Sequence, residues 1–118
     1  MIQSYRDLDV YQRSYRAAIS VYRMTSRLPR EELYGLTSQL KRASTSIPLN
    51  IAEGYAKQVN VDEFKRFLLM AIGSCDEMKV LMDICKDLSF INEAAHKRYE
   101  QGYDEIGRML MALRERWE

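Results

Sequence analysis

Between Asn60 and Leu88, apolar residues recur every three or four positions, and a stretch patterned this way buries its stripe only as a long helix laid against other helices. Phe64, Phe67, Leu68, Ala71, Ile72, Cys75, Met78, Leu81, Met82 and Cys85 form the stripe. Its start carries three signals: Asn60 as N-cap, Glu63 three residues on as in a capping box, and Val59 with Phe64 placed as a hydrophobic staple. The turn Leu88-Ser89-Phe90-Ile91-Asn92 ends it. Gly73 sits in mid-helix, where glycine costs roughly 0.5 to 1 kcal/mol relative to alanine, so a close helix crossing is expected there.

Three further segments have the same period. The first runs from about Leu8 to Leu28, capped by Asp7, with Leu8, Tyr11, Tyr15, Ala18, Ile19 and Tyr22 facing the core; Leu28-Pro29 stops it. The second starts near Arg30, with Glu31 and Glu32 suited to the positive end of the helix dipole, and runs to about Tyr55. It is expected to bury Leu33, Leu36, Leu40, Ala43, Ile47 and Ile51, with a kink or local opening where Pro48 deletes the bond to the Ser44 carbonyl. The last runs from about Glu93 to Trp117 behind an Asn92 cap, with Ala95, Tyr99, Tyr103, Ile106, Leu110, Leu113 and Trp117 on one face. With only 5 Gly and 2 Pro to interrupt them, four similar helices on short loops predict an all-α, antiparallel up-down-up-down four-helix bundle, a single domain over residues 1–118.

Several function classes lack their residues. No apolar run approaches the roughly 20 residues of a membrane span, and Met1 to Arg6 has no signal-peptide core, so a cytoplasmic protein without a membrane partner is expected. Cys75 and Cys85, ten residues apart on one helix, would be about 15 Å apart along its axis and cannot pair. Helical bundles build di-iron sites from two Glu-x-x-His motifs, but Glu93-Ala94-Ala95-His96 is the only match and His96 the only histidine. Ribonucleases of the four-helix HEPN type pair an Arg with a His a few residues later, and no Arg precedes His96 closely. Without a Ser/His/Asp or Cys/His set either, no enzyme, metal or cofactor is expected, and His96 reads as a surface residue.

Charge is distributed unevenly. The net +1 divides into nine Lys/Arg against five Asp/Glu over residues 1–58, and nine against twelve over 59–118, giving halves of +4 and −3. Arg13, Arg16, Arg23, Arg27 and Arg30 follow one another at spacings of 3, 7, 4 and 3, and no acid occurs from Val10 to Pro29. Such a stripe, interleaved with Tyr11, Tyr15 and Tyr22 and joined by Lys41, suits phosphate, so RNA or DNA is a candidate ligand. The alternative is a solvated arginine face with the tyrosines in the core. On the second helix Gln39, Arg42, Ser46, Asn50 and Glu53 form a polar stripe whose short hydrogen-bonding side chains suit a protein contact, with Glu77 or Glu53 as partner for Arg42.

Glu32-Leu33-Tyr34-Gly35-Leu36, Gln39-Leu40-Lys41-Arg42-Ala43, Ser46-Ile47-Pro48-Leu49-Asn50-Ile51-Ala52-Glu53-Gly54 and Ala71-Ile72-Gly73-Ser74 with Glu77 together resemble a bacterial family of four-helix bundles encoded in intervening sequences of large-subunit ribosomal RNA genes. The similarity extends from Arg6-Asp7-Leu8 through the fourth helix. The resemblance implies a homopentameric barrel around a central channel, without catalytic activity. It also implies kinship with the accessory variability determinant of diversity-generating retroelements, which binds a reverse transcriptase and nucleic acid. On this basis the expected function is a non-enzymatic homo-oligomer binding RNA or a nucleoprotein partner, with a pure protein-interaction scaffold as the alternative.

Overall fold

Where each helix begins is set by which side chain takes up its free amides. In the computed structural model, which describes residues 1–118, the helices are α1 (Asp9–Thr25), α2 (Leu36–Ala56), α3 (Val61–Asp87) and α4 (Glu93–Arg116); 3-10 turns lie at Tyr5–Asp7 and Arg30–Glu32, and there is no strand. Asn60 and Asn92 cap their helices as expected, the side-chain oxygens accepting from the amides of Glu63 at 3.1 Å and Ala95 at 2.8 Å. Glu63 does not complete the expected capping box, because Arg66 holds its carboxylate at 2.9 and 3.1 Å. Nor does the staple form: Val59 is 99% exposed, and Phe64 packs edge-on to Trp117 and Tyr55 at 4.7 and 6.1 Å between centroids.

The N-terminal half departs further from expectation. Asp7 does not cap α1. Its carboxylate accepts from the amides of Gln3 and Ser4 at 2.8 and 3.1 Å, closing a capping box with Ser4 around the first 3-10 turn and leaving Leu8 at the α1 N-cap. α2 begins at Leu36 rather than near Arg30, because Glu32 accepts from the Leu36 amide at 3.2 Å and Arg30–Glu32 becomes a separate turn. Leu33 consequently leaves the core and is 47% exposed. Pro48 is buried, yet α2 runs through it without the expected opening. In the preceding turn the hydroxyls of Thr45 and Ser44 both donate to the Lys41 carbonyl, at 2.8 and 3.2 Å, a different acceptor from the Ser44 carbonyl that the proline leaves without its amide.

Successive helices pack on one another, and α4 returns to α1 only lightly. Twenty buried residues form the core, among them Leu40, Ile47 and Ile51 of α2, Phe64, Leu68, Met78 and Met82 of α3, and Tyr103, Ile106 and Leu110 of α4; each large apolar side chain there contributes about 1.5 to 3 kcal/mol. Cys75 and Cys85 are unpaired and buried among them. Burial pushes their thiols up to about 12 and about 11.

The core face of α1 is not the tyrosine stripe. Val10, Ser14, Ala18, Val21, Met24 and Thr25 point inward, while Tyr15, Ile19 and Tyr22 are 51%, 38% and 44% exposed. Ser14 and Thr25 are tolerated inside because each hydroxyl donates to a carbonyl of its own helix, Tyr11 at 3.0 Å and Tyr22 at 2.7 Å.

Two glycines trade roles. Gly54 is buried where α2 crosses α3: a Cβ there would lie 2.6 Å from Phe67 Cβ and 3.0 Å from Phe64 Cδ1. Gly73, expected at a crossing, is exposed, and a Cβ would meet nothing within 4 Å. α3 ends in a Schellman motif, with the Phe90 amide donating to Cys85 at 2.8 Å and the Ser89 amide to Lys86 at 2.9 Å. Ser89, at φ 63°, occupies the left-handed position usually given to glycine.

Candidate nucleic-acid interface

The light packing of α1 against α4 leaves a cleft of about 740 Å³ between them. Arg16 and Arg23 of α1 and Arg27 of the turn after it line one wall, Arg98 of α4 the other, and Tyr15, Ser20, Asn92 and Tyr99 complete its polar lining. Ser20 Oγ and the Tyr99 hydroxyl, 3.0 Å apart, tie the two walls together. No carboxylate lines the cleft. None of the four arginines has an acidic partner within 4.0 Å, although six such pairings occur elsewhere in the chain. Uncompensated guanidinium groups sharing one depression attract phosphate, which they can hold in bidentate pairs.

The other predicted cations fall differently. Arg13 leaves the stripe, because Glu105 of α4 pairs with it at 2.6 Å. Arg30 and Lys41 lie together in a smaller depression, of about 460 Å³, beside Tyr22. The Lys41 ammonium stands 4.9 Å from the centre of the Tyr22 ring. Arg98 was not among the residues expected from sequence. The signal available for it is that no acid stands three or four positions away on its helix, where Ala94, Ala95, Gln101 and Gly102 occur.

On the far side of the α1 ridge, Tyr5, Tyr11, Tyr15, Ile19 and Tyr22 with Pro48 and Leu49 of α2 line an apolar groove of about 350 Å³. Tyr15 and Ile19 border both depressions. Tyr5, Tyr11 and Tyr15 form an aromatic run with centroids 4.9 and 6.1 Å apart.

The polar stripe of α2 is spent largely within the chain. Arg42 donates to Gln39 and pairs with Glu77 of α3; Ser46 bonds Ser74 of α3; Asn50 donates to the Ser46 carbonyl at 2.8 Å. Glu53 is exposed and makes no ion pair. A second exposed face does run along α3, where Leu69, Val80, Ile84 and Leu88 are 49%, 56%, 40% and 53% exposed, with Gly73 between the first two.

His96 is more covered than a surface residue, with 12% of its side chain exposed, and its Nε2 lies 2.7 Å from Asp83 Oδ1 across the α3–α4 seam. Glu100 joins the pair, the three ligand-type atoms falling within 4.8 Å of one another. Nearby, Lys79 of α3 bonds Asp104 of α4 at 2.6 Å, which holds the Asp104 carboxyl below the usual range and raises the lysine. No helix is long and apolar enough to cross a membrane.

Compared with known families, residues 6–112 match the family described as 23S rRNA-intervening sequence protein. No curated protein matches the chain.

Proposed function

We propose that this chain, which belongs to the 23S rRNA-intervening sequence protein family, is a non-enzymatic, self-assembling protein that binds RNA across the arginine cleft between α1 and α4. The observation that carries the reading is the cleft itself: Arg16 and Arg23 of α1, Arg27 of the turn after it and Arg98 of α4 converge on it and no carboxylate neutralises them. Folded chains ordinarily intersperse their charges, and this one pairs Arg13, Arg42, Arg66 and Lys79. Leaving Arg16, Arg23, Arg27 and Arg98 unpaired side by side accumulates repulsion that a polyanion relieves. A nucleoprotein carrying RNA, such as a reverse transcriptase of a retroelement, presents the same phosphate chemistry, and either partner places the protein in the cytoplasm.

The antiparallel course of the bundle is part of the reading. It is supported by contacts whose numbers rise on one helix as they fall on the next, as in Arg13 with Glu105 and Ser20 with Tyr99, or Arg42 with Glu77 and Ser46 with Ser74. The homo-oligomer, a pentamer in the form the sequence resemblance implies, is supported by the apolar face of α3. Gly73 costs helix stability without serving any contact inside the chain, and a neighbouring copy crossing α3 beside Leu69 and Val80 gives it a use. The reading is non-catalytic because the one histidine is grouped with two carboxylates, Asp83 and Glu100, and no nucleophile, and both thiols are buried with raised pKa.

The test is RNA binding over a salt series. Replacing Arg16 and Arg23 together by alanine should weaken binding and flatten the log-affinity against log-salt slope by roughly 0.7 for each single-strand phosphate that the variant no longer neutralises. Absence of binding at low salt by the unaltered chain overturns the reading. Assembly is checked by light scattering on the unaltered chain and on a Val80→Glu, Ile84→Glu variant. The unaltered chain should be an oligomer and the variant a monomer.

A further inference from the structure

We propose that the strand bound is single-stranded, with its phosphates in the arginine cleft and its unpaired bases stacked on Tyr15 and Tyr22 in the groove on the other side of the α1 ridge. The inference rests on the RNA reading above and adds what that reading leaves open, namely which form of nucleic acid fits and which side chains meet the bases.

Three observations carry it. Tyr5 of the first 3-10 turn and Tyr11, Tyr15 and Tyr22 of α1 border the groove; Tyr11 packs partly against the core, whereas Tyr15 and Tyr22 keep about half of their surface open. The Lys41 ammonium meets one side of the Tyr22 ring, yet Tyr15 and Tyr22 still forgo burial that the same helix achieves with Val21 and Met24, so their exposed surface needs a partner. Second, the apolar groove adjoins unpaired cations at both of its margins: the arginine cleft lies across the shared residues Tyr15 and Ile19, and Arg30 with Lys41 lies past Tyr22. A purely apolar partner would bring those cations no counter-charge, whereas a polyanion with flat apolar appendages meets both surfaces at once. Third, the separation suits a flexible strand. Tyr15 and Tyr22 are two helical turns apart, about 10 Å along α1, and the phosphate and stacking surfaces lie on opposite flanks of one helix. Duplex bases are paired inward and offer no faces to such a groove, while splayed bases of a single strand stack on aromatic rings irrespective of sequence.

The experiment uses the full chain and a fluorescently labelled RNA of about 12 nucleotides, within the range of single-strand site sizes. Anisotropy titrations compare the single strand, the same strand annealed to its complement, and inorganic polyphosphate, which has charge and no bases. Tyr15→Ala and Tyr22→Ala should each weaken single-strand binding by about 5- to 100-fold, leave the salt slope and polyphosphate binding unchanged, and be rescued by Tyr15→Phe and Tyr22→Phe. Duplex should bind more weakly than single strand and be indifferent to all four substitutions. Equal affinity for duplex and single strand, phenylalanine variants as weak as alanine ones, or equal losses on polyphosphate would each overturn the stacking proposal while leaving the arginine reading standing. Failure of every ligand to bind at low salt overturns both. A change in molar mass by light scattering on Tyr15→Ala or Tyr22→Ala, with RNA affinity intact, would make the groove a subunit contact and likewise overturn it. All the substitutions fall on exposed side chains, and thermal melts check that the core is retained.

Discussion

Replacing Gly54 by alanine should destabilise the bundle, although in isolation the change favours a helix. The added methyl would sit 2.6 Å from Phe67 Cβ and 3.0 Å from Phe64 Cδ1, where ordinary contact begins at 3.4 Å. Both Cβ atoms are fixed to their backbones, so no rotamer relieves the first clash, and shortening the Phe67 ring would not help. α2 must move away from α3 by roughly 1 Å, loosening Ile51 and Phe64 as it does so. Overpacking of this kind costs about 1 to 3 kcal/mol. The alanine returns less than its usual ~1 kcal/mol of helix propensity, since Gly54 lies in the last turn of α2. A net loss of about 1 to 2 kcal/mol follows, which for a chain of this length lowers Tm by about 4 to 8 °C. Thermal and urea melts followed by circular dichroism, with both proteins at one concentration, measure it. A Gly54→Ala variant as stable as the parent, or more so, would refute the close crossing of α2 and α3.

Other consequences are as direct. Ser89→Gly should gain about 0.5 to 1 kcal/mol, because it relieves the left-handed backbone at the end of α3 without disturbing the Schellman bonds, and a lower Tm would count against that geometry. Both thiols should be inert to Ellman's reagent at pH 8 in the native chain and react in denaturant, since burial raises Cys75 and Cys85; rapid native reaction would contradict their placement. Asp104 has a carboxyl lowered by Lys79, so its contribution is present above the unfolded carboxylate range and lost as pH falls through its lower folded value. Asp104→Asn should therefore flatten the acid limb of a stability-against-pH profile, and an unchanged limb would show that the Lys79 pair is not maintained in solution.

Much of the architecture was legible because α2, α3 and α4 each carry a single apolar stripe. Leu40, Ile47 and Ile51, the α3 series from Phe64 to Cys85 apart from the half-buried Ile72, and Tyr103, Ile106 and Leu110 are buried as their spacing indicated. Asn60 and Asn92 were legible as caps because an Asn side chain reaches its own helix start without tertiary help. α1 misled because it has two candidate stripes. Periodicity ranks Tyr15, Ile19 and Tyr22 above Ser14 and Thr25, but hydroxyls that bond carbonyls of their own helix can enter a core, and tyrosines can remain outside. The arginine stripe was visible as a pattern, whereas its division was not: Glu105 draws Arg13 away and Arg98 joins from the opposite wall, and both depend on how α4 lies beside α1. Gly54 and Gly73 could not be told apart from sequence, since only the helix crossing says which of them has a neighbour.

The open seam between α1 and α4 also determines how the molecule comes apart. α1 is held chiefly along one side, by α2, while across the seam Arg16, Arg23 and Arg27 share a cleft with Arg98 and carry the same charge. Repulsion adds to sparse contact, so α1 is the segment whose amides should exchange with solvent through local opening while α3 stays protected. A multivalent anion spanning the seam replaces that repulsion with a bridge, and its binding would be read as slowed amide exchange in α1, a change in which part of the bundle opens first.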